Sequence, residues 1–142
     1  MKLIFLDIDG VLNTKATLST SVCNIDGDKL SRLAFLAKAG DAKIVLSSSW
    51  RLLSRETLTD TLSCHDLSVI GATPSFNGNN RKSEILAFLS DFEAQVESFV
   101  ILDDQTIRWG SLKKRLVRTV PSRGLTDANV EKALKILSIP CE

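Results

Sequence analysis

No apolar run in this chain of 142 residues is long enough to cross a bilayer, and the first one, Leu3 to Leu6, is cut at once by Asp7 and Asp9. A signal peptide and a membrane span are therefore excluded as readings of that run, and a cytoplasmic protein without membrane partners is expected. Cysteine is scarce. Cys23, Cys64 and Cys141 are an odd number at wide spacing with no C-x-x-C pair, which offers neither zinc nor dithiol chemistry a ligand set and reads as reduced thiols. Histidine is scarcer still: His65 stands alone in a polar stretch, and without neighbouring ligands it reads as a surface residue rather than a catalyst. Repeats and low-complexity segments are absent. With 44% hydrophobic and 25% charged residues, the composition is that of an ordinary globular chain, not a disordered one. The length suits one domain over residues 1–142, enough to bury a central sheet beneath helices.

What the chain does have is alternation. β-type runs at Leu3–Leu6, Lys43–Leu46, Leu67–Ile70, Phe99–Leu102 and Arg115–Val120 are separated by helical patterns, the mark of an α/β domain with a mainly parallel five-stranded sheet. Leu30, Leu33, Ala34 and Ala37 keep helical spacing after a polar start at Asp26 to Asp28, and Gly40 is placed to end that helix. A weaker pattern contains Leu58 and Leu62. Ile85, Leu86, Phe88, Leu89 and Phe92 form a wide apolar face after Ser83, a plausible helix start, and a last helix is expected from the N-cap Thr126, burying Val130, Ala133, Leu134 and Leu137 and ending by Pro140. Two polar, turn-rich connections, Asn13 to Gly27 and Gly71 to Asn80, are longer than packing requires. Loops at the carboxyl edge of a parallel sheet are where ligands usually bind.

The ends of the strands carry the chemistry. Asp7 and Asp9 follow the first run, Ser47-Ser48-Ser49 the second, and Asp103-Asp104 the fourth, so all converge on one sheet edge. Residues two apart on a strand point the same way, so Asp7 and Asp9 would repel unless the chain leaves the sheet there or a cation sits between them. Four carboxylates at one edge call for raised pKa values or a divalent cation, and oxygen ligands alone favour magnesium over zinc. Arg81-Lys82, just before a helix, adds positive charge.

In this order the motifs resemble those of the haloacid dehalogenase superfamily of aspartate-based phosphatases. Asp7-Ile8-Asp9-Gly10-Val11-Leu12-Asn13 is similar to its first motif, Ile44-Val45-Leu46-Ser47 to the second, Arg81-Lys82 to the third and Val100-Ile101-Leu102-Asp103-Asp104 to the fourth. Ser48-Ser49-Trp50-Arg51, Gly71-Ala72-Thr73-Pro74, Arg81-Lys82-Ser83-Glu84-Ile85 and Gly124-Leu125-Thr126 further resemble a small bacterial and phage branch whose members occur in RNA repair systems. The resemblance implies a three-layer Rossmann-like fold and a hydrolase. Asp7 would be the nucleophile that forms an aspartyl-phosphate and Asp9 the acid and base. Mg2+ would be held by Asp7, the Asp9 backbone carbonyl and Asp103 or Asp104. Ser47, Ser48 and either Arg81 or Lys82 would hold phosphate.

Members of the superfamily select substrates through cap insertions, and neither long connection has room for a folded cap. An open site implies bulky phosphorylated substrates, with RNA or DNA ends or a nucleotide first and a phosphoprotein second. A non-catalytic phosphate-binding adaptor is the reading from another class, disfavoured because a binder has no use for the second acid, Asp9. A receiver domain also gathers acids and magnesium, but places them on other strands. Net charge is only +1, yet Gln105 to Thr126 contains Arg108, Lys113, Lys114, Arg115, Arg118 and Arg123 and no acid. That segment suits either a charged sheet edge that discourages strand pairing or a contact for nucleic acid, and the near-neutral total favours the first. Trp50 and Trp109 read as packing residues rather than base-stacking platforms, and Arg51 as either a substrate fork or a partner of a local acid.

Overall fold

The computed structural model describes residues 1–14, 25–47, 55–76 and 80–141. Strands β1 (Lys2–Leu6), β2 (Ala42–Leu46), β3 (Val69–Ala72), β4 (Ser98–Asp103) and β5 (Leu116–Arg118) form one sheet in the order β3-β2-β1-β4-β5. Every pairing in it is parallel. Helices α1 (Gly27–Gly40), α2 (Arg55–Ser63), α3 (Arg81–Phe92) and α4 (Asp127–Leu137) complete the α/β architecture. Among the described residues there is no folded cap between β1 and α1 or between β3 and α3. No described helix is long and apolar enough to cross a membrane.

Strand alternation builds two cores. Ile4, Leu6, Ile44, Leu46, Val100, Leu102 and Val117 face Leu33 and Leu36 of α1 and Val130, Ala133 and Leu137 of α4. Leu3, Phe5, Val45, Phe99, Ile101 and Leu116 face Ile85 and Phe88 of α3. Leu3, Ile4, Phe5 and Leu6 are all 0% exposed. A strand buried on both faces is a continuous apolar run rather than an alternating one, and each such side chain contributes about 1.5–3 kcal/mol.

Some expected boundaries shift, each for a local reason. Leu67 is not in a strand: it follows Asp66, which has positive φ (61°), and its N–H donates to Leu62 O at 3.1 Å while Asp66 N–H donates to Ser63 O. This left-handed cap closes α2 by packing Leu67 near Leu62, so β3 starts two residues later. The left-handed residue after α1 is Asp41 (φ 49°), not Gly40. Gly40 instead lets α4 approach, since a Cβ there would lie 2.8 Å from Leu137 Cδ1. Ser83 lies inside α3, which begins at Arg81 with Asn80 as N-cap residue, and Leu86 is exposed rather than part of its buried face.

Thr126 caps α4 as expected, accepting Asn129 N–H at 3.2 Å while its own N–H donates to Asn129 Oδ1 at 2.9 Å. Ile136 takes the fully inward position expected of Leu134, which is half-buried. Arg115 ends a 3-10 turn ahead of β5, and its buried guanidinium donates to the carbonyls of Ile136, Ile139 and Pro140 at 3.1, 2.8 and 3.0 Å. There it satisfies carbonyls at the carboxyl end of α4.

Candidate active site

Register decides what meets at the sheet's carboxyl edge. Leu6 is paired with Leu46 on one side and Leu102 on the other, so the next residues, Asp7, Ser47 and Asp103, stand in one row. Ladder bonds run on through them: Asp7 N–H donates to Leu102 O at 3.0 Å and Ser47 N–H to Leu6 O at 2.9 Å. All three are buried.

The chain does leave the sheet after Asp7. Ile8 turns into the core, and Val11 and Leu12 N–H groups fold back onto Ile8 O at 3.1 and 2.9 Å. Gly10, at φ 81°, occupies the left-handed region, and a Cβ there would overlap the Asp104 carboxylate. Only glycine fits both demands. Thr119 Oγ1 donates to Gly10 O at 2.7 Å, Asn13 Oδ1 accepts Gly10 N–H at 2.9 Å, and Asn13 Nδ2 donates to Asp9 Oδ1 at 3.0 Å. Asn13 is fully buried and Asp9 half-buried. Thus Asp9 is held at the rim while Asp7 sits at the floor.

Carboxylate oxygens of Asp7, Asp103 and Asp104 lie within 4.8 Å of one another and could hold a metal ion. The Asp9 carboxylate is not in that group. Burial, then the Asp103 carboxylate, push Asp7 well above its ordinary value of 3.8, against the opposing pull of Arg81. Burial also raises Asp103, again opposed by Arg81. Both shifts express one fact: negative charge is costly here without a cation, and hard oxygen donors in this grouping suit one.

Arg81 supplies part of the positive charge. Its guanidinium bonds to Asp103 Oδ2, lies 3.6 Å from Asp7 Oδ1 and reaches Glu84 at 3.9 Å. Glu84 in turn accepts the N–H of Phe76 at 2.8 Å, which ties the loop after β3 to this corner. Lys82 points elsewhere, against Gly110. Asp103 also accepts Gln105 N–H at 2.9 Å. Ser47 Oγ is buried with no hydrogen-bond partner among the described residues. A buried hydroxyl left this way is uncommon and marks a place where a ligand oxygen can be received.

Of the residues singled out in the sequence, Asp7, Ser47, Arg81, Asp103 and Asp104 meet at this edge, with Asp9 above them. Ser48, Ser49, Trp50 and Arg51, residues 77–79 of the Gly71 to Asn80 connection, and Cys23 lie outside the described residues. Trp109 is 5% exposed and its indole N–H donates to Gln105 O at 3.1 Å, so it is a packing residue. His65 is exposed. Sequence reasoning gave no separate role to Asn13 or Thr119. The asparagine four residues after Asp9, on a chain leaving a strand, was the available sign of a side chain turning back on the acid loop.

A parallel sheet in this order with acids at the ends of its first and fourth strands is the haloacid dehalogenase arrangement. Over residues 3–130 the chain matches the family described as the HAD domain in Swiss Army Knife RNA repair proteins, and it belongs to that family. No curated protein and no solved structure matches it.

Proposed function

We propose that the chain is a magnesium-dependent phosphomonoesterase acting through Asp7 on the phosphate at a nucleic-acid end. The observation that carries this reading is the row of Asp7, Ser47 and Asp103: a carboxylate nucleophile, a buried hydroxyl with no partner among the described residues and a buried acid at one level of the sheet. The family name, with its reference to RNA repair, supports the choice of substrate.

In this reading the Asp7 carboxylate attacks phosphorus and the bond to the leaving oxygen breaks. Asp9, held at the rim by Asn13, gives its proton to that oxygen. In the second half-reaction Asp9 removes a proton from water, water oxygen bonds to phosphorus, and Asp7 is released with inorganic phosphate. Ser47 Oγ donates to a phosphoryl oxygen, and Arg81 offsets the charge of the transferring group. A magnesium ion held by Asp7, Asp103 and Asp104 would screen the anionic nucleophile from the anionic ester.

The test is phosphate release from a small aryl phosphate and from 5′- and 3′-phosphorylated oligonucleotides, with Mg2+ or EDTA, for the native protein and Asp7→Asn. Release that needs Mg2+ and disappears in the variant supports the enzyme, and the preferred ester names the substrate. Absence of release from every ester would turn the reading toward a phosphoprotein substrate or a binding module.

A further inference from the structure

The basic segment after β4 does not act as one patch. Arg115 is buried on the carbonyls at the end of α4, and Lys114 borders both a cleft with Pro140 and Cys141 and a hollow shared with Lys113. Arg118 is different. It is paired with Asp103 in the register of β4 and β5, so the two Cα atoms are about 5 Å apart at the same sheet end. A cleft of about 820 Å³ runs from Asp104 and Gln105 to Arg118. A second, of about 550 Å³, shares Gln105 and Arg118 with it and continues to Arg108, Lys113 and Lys132. One surface therefore begins at the acid cluster and ends among four cations.

We infer that this groove is the track for the sugar–phosphate backbone of a single nucleic-acid strand whose terminal phosphate enters at Asp7, with Arg118, Arg108, Lys113 and Lys132 taking the adjoining phosphates. The inference rests on the phosphatase reading above for the terminal phosphate, and on charge and shape for the rest. All four side chains are exposed, and none is in an ion pair among the described residues, unlike Lys29, Arg32 and Arg81. Edge protection would explain cations on the edge strand β5, but Arg108 precedes it and Lys132 belongs to α4. Four cations spread along a groove match a repeating anion better than the single charge of a phosphorylated side chain. Trp109 lines the groove yet is buried and hydrogen-bonded, so base stacking on it is not available. Binding is accordingly electrostatic, tolerant of sequence and steep in salt.

Four phosphate contacts to a single strand imply about a 50-fold loss of affinity between about 50 and 200 mM salt, each contact contributing about 0.7 to the slope. The test is fluorescence anisotropy of a labelled oligonucleotide of about ten nucleotides, titrated with native protein, Lys113→Gln, Lys132→Gln and Lys43→Gln at fixed Mg2+ across that salt range. Lys113→Gln and Lys132→Gln should each lower the slope by about 0.7 while Lys43→Gln, exposed on β2 and away from the groove, leaves it unchanged. In kinetics the first two should lose more kcat/KM on a phosphorylated oligonucleotide than on an aryl phosphate. Equal slopes for Lys113→Gln and Lys43→Gln, a flat salt response, or Lys113-dependent binding of an acidic phosphopeptide in place of the oligonucleotide would each overturn the groove assignment. Aryl phosphate turnover reports separately on the phosphatase reading: if it is absent while the slopes behave as expected, the groove stands and the enzyme does not.

Discussion

Asn13 holds Asp9 by its side-chain amide, donating from Nδ2 to Asp9 Oδ1 at 3.0 Å while its own Oδ1 accepts the N–H of Gly10 at 2.9 Å. One fully buried side chain thus fixes both the acid at the rim and the turn that lifts it there. Asn13→Ala should cost about 1–3 kcal/mol in stability, since buried polar groups lose their partners. Phosphate release should fall about 100-fold through loss of orientation. Urea unfolding and kcat measured on the same samples check both, and undiminished kcat would remove Asn13 from any positioning role.

Gly10 meets two constraints together, a φ of 81° and the Asp104 carboxylate against its Cα. Gly10→Ala adds strain of about 1–3 kcal/mol from backbone conformation. It also pushes Asp104 out of the acid group. Displacing one ligand should raise the Mg2+ concentration for half-maximal phosphate release about tenfold or more. A lowered Tm with an unchanged Mg2+ requirement would show that Asp104 is not a ligand.

Arg81 lies between Asp7 and Asp103 and is 8% exposed. Arg81→Gln leaves two buried acids facing each other and should cost about 3–5 kcal/mol in the metal-free protein. Because the added cation can offset the same charge, Mg2+ should recover more stability in the variant than in the native chain. Activity should drop by about 100-fold or more even with Mg2+. The checks are thermal unfolding with and without Mg2+ and kcat on an aryl phosphate. Equal Mg2+ effects on the two proteins would separate Arg81 from the metal-binding acids.

Much of this arrangement is legible in the residues. Each of the β-type runs that becomes β1, β2 and β4 is followed at once by a polar residue, and parallel strands in register bring those positions into one row, so Asp7, Ser47 and Asp103 can be grouped from the sequence alone. Choices between neighbours cannot be made that way. Arg81 and Lys82 differ by about 100° around a helix, and only the folded chain shows that Arg81 faces the acids, beside Asp7, Glu84 and Asp103, while Lys82 lies against Gly110. Asp103 and Asp104 likewise look equivalent, yet the first, the last residue of β4, is buried against Arg81, and the second, just past the strand, lies against Gly10. The basic segment misleads for the same reason: Arg115 and Arg118 are three residues apart on the chain, but one closes a helix and the other borders the acid cluster. Leu67 reads as strand because burial is the signal, and a helix cap buries leucine as well as a strand does.

The raised pKa values of Asp7 and Asp103 make stability depend on pH with a definite sign. Burial holds both above 3.8 in the folded state, so across the window from there to the raised values the folded chain keeps protons that the unfolded chain has released. Stability of the metal-free protein is therefore full below that window and declines as pH rises through it. Saturating Mg2+ should reverse the trend near neutral pH, because it binds the ionised acids of the folded state alone. Asp7→Asn removes the ionisation and should raise metal-free stability at pH 7 by about 1–2 kcal/mol, a Tm gain of about 3–8 °C, while abolishing phosphate release. Tm measured from pH 4 to 8 in EDTA and in Mg2+ checks each part. A metal-free native protein whose Tm climbs steadily over that range would mean that the acids are stabilised by the fold itself, and the argument for a cation at Asp7, Asp103 and Asp104 would lose its electrostatic basis.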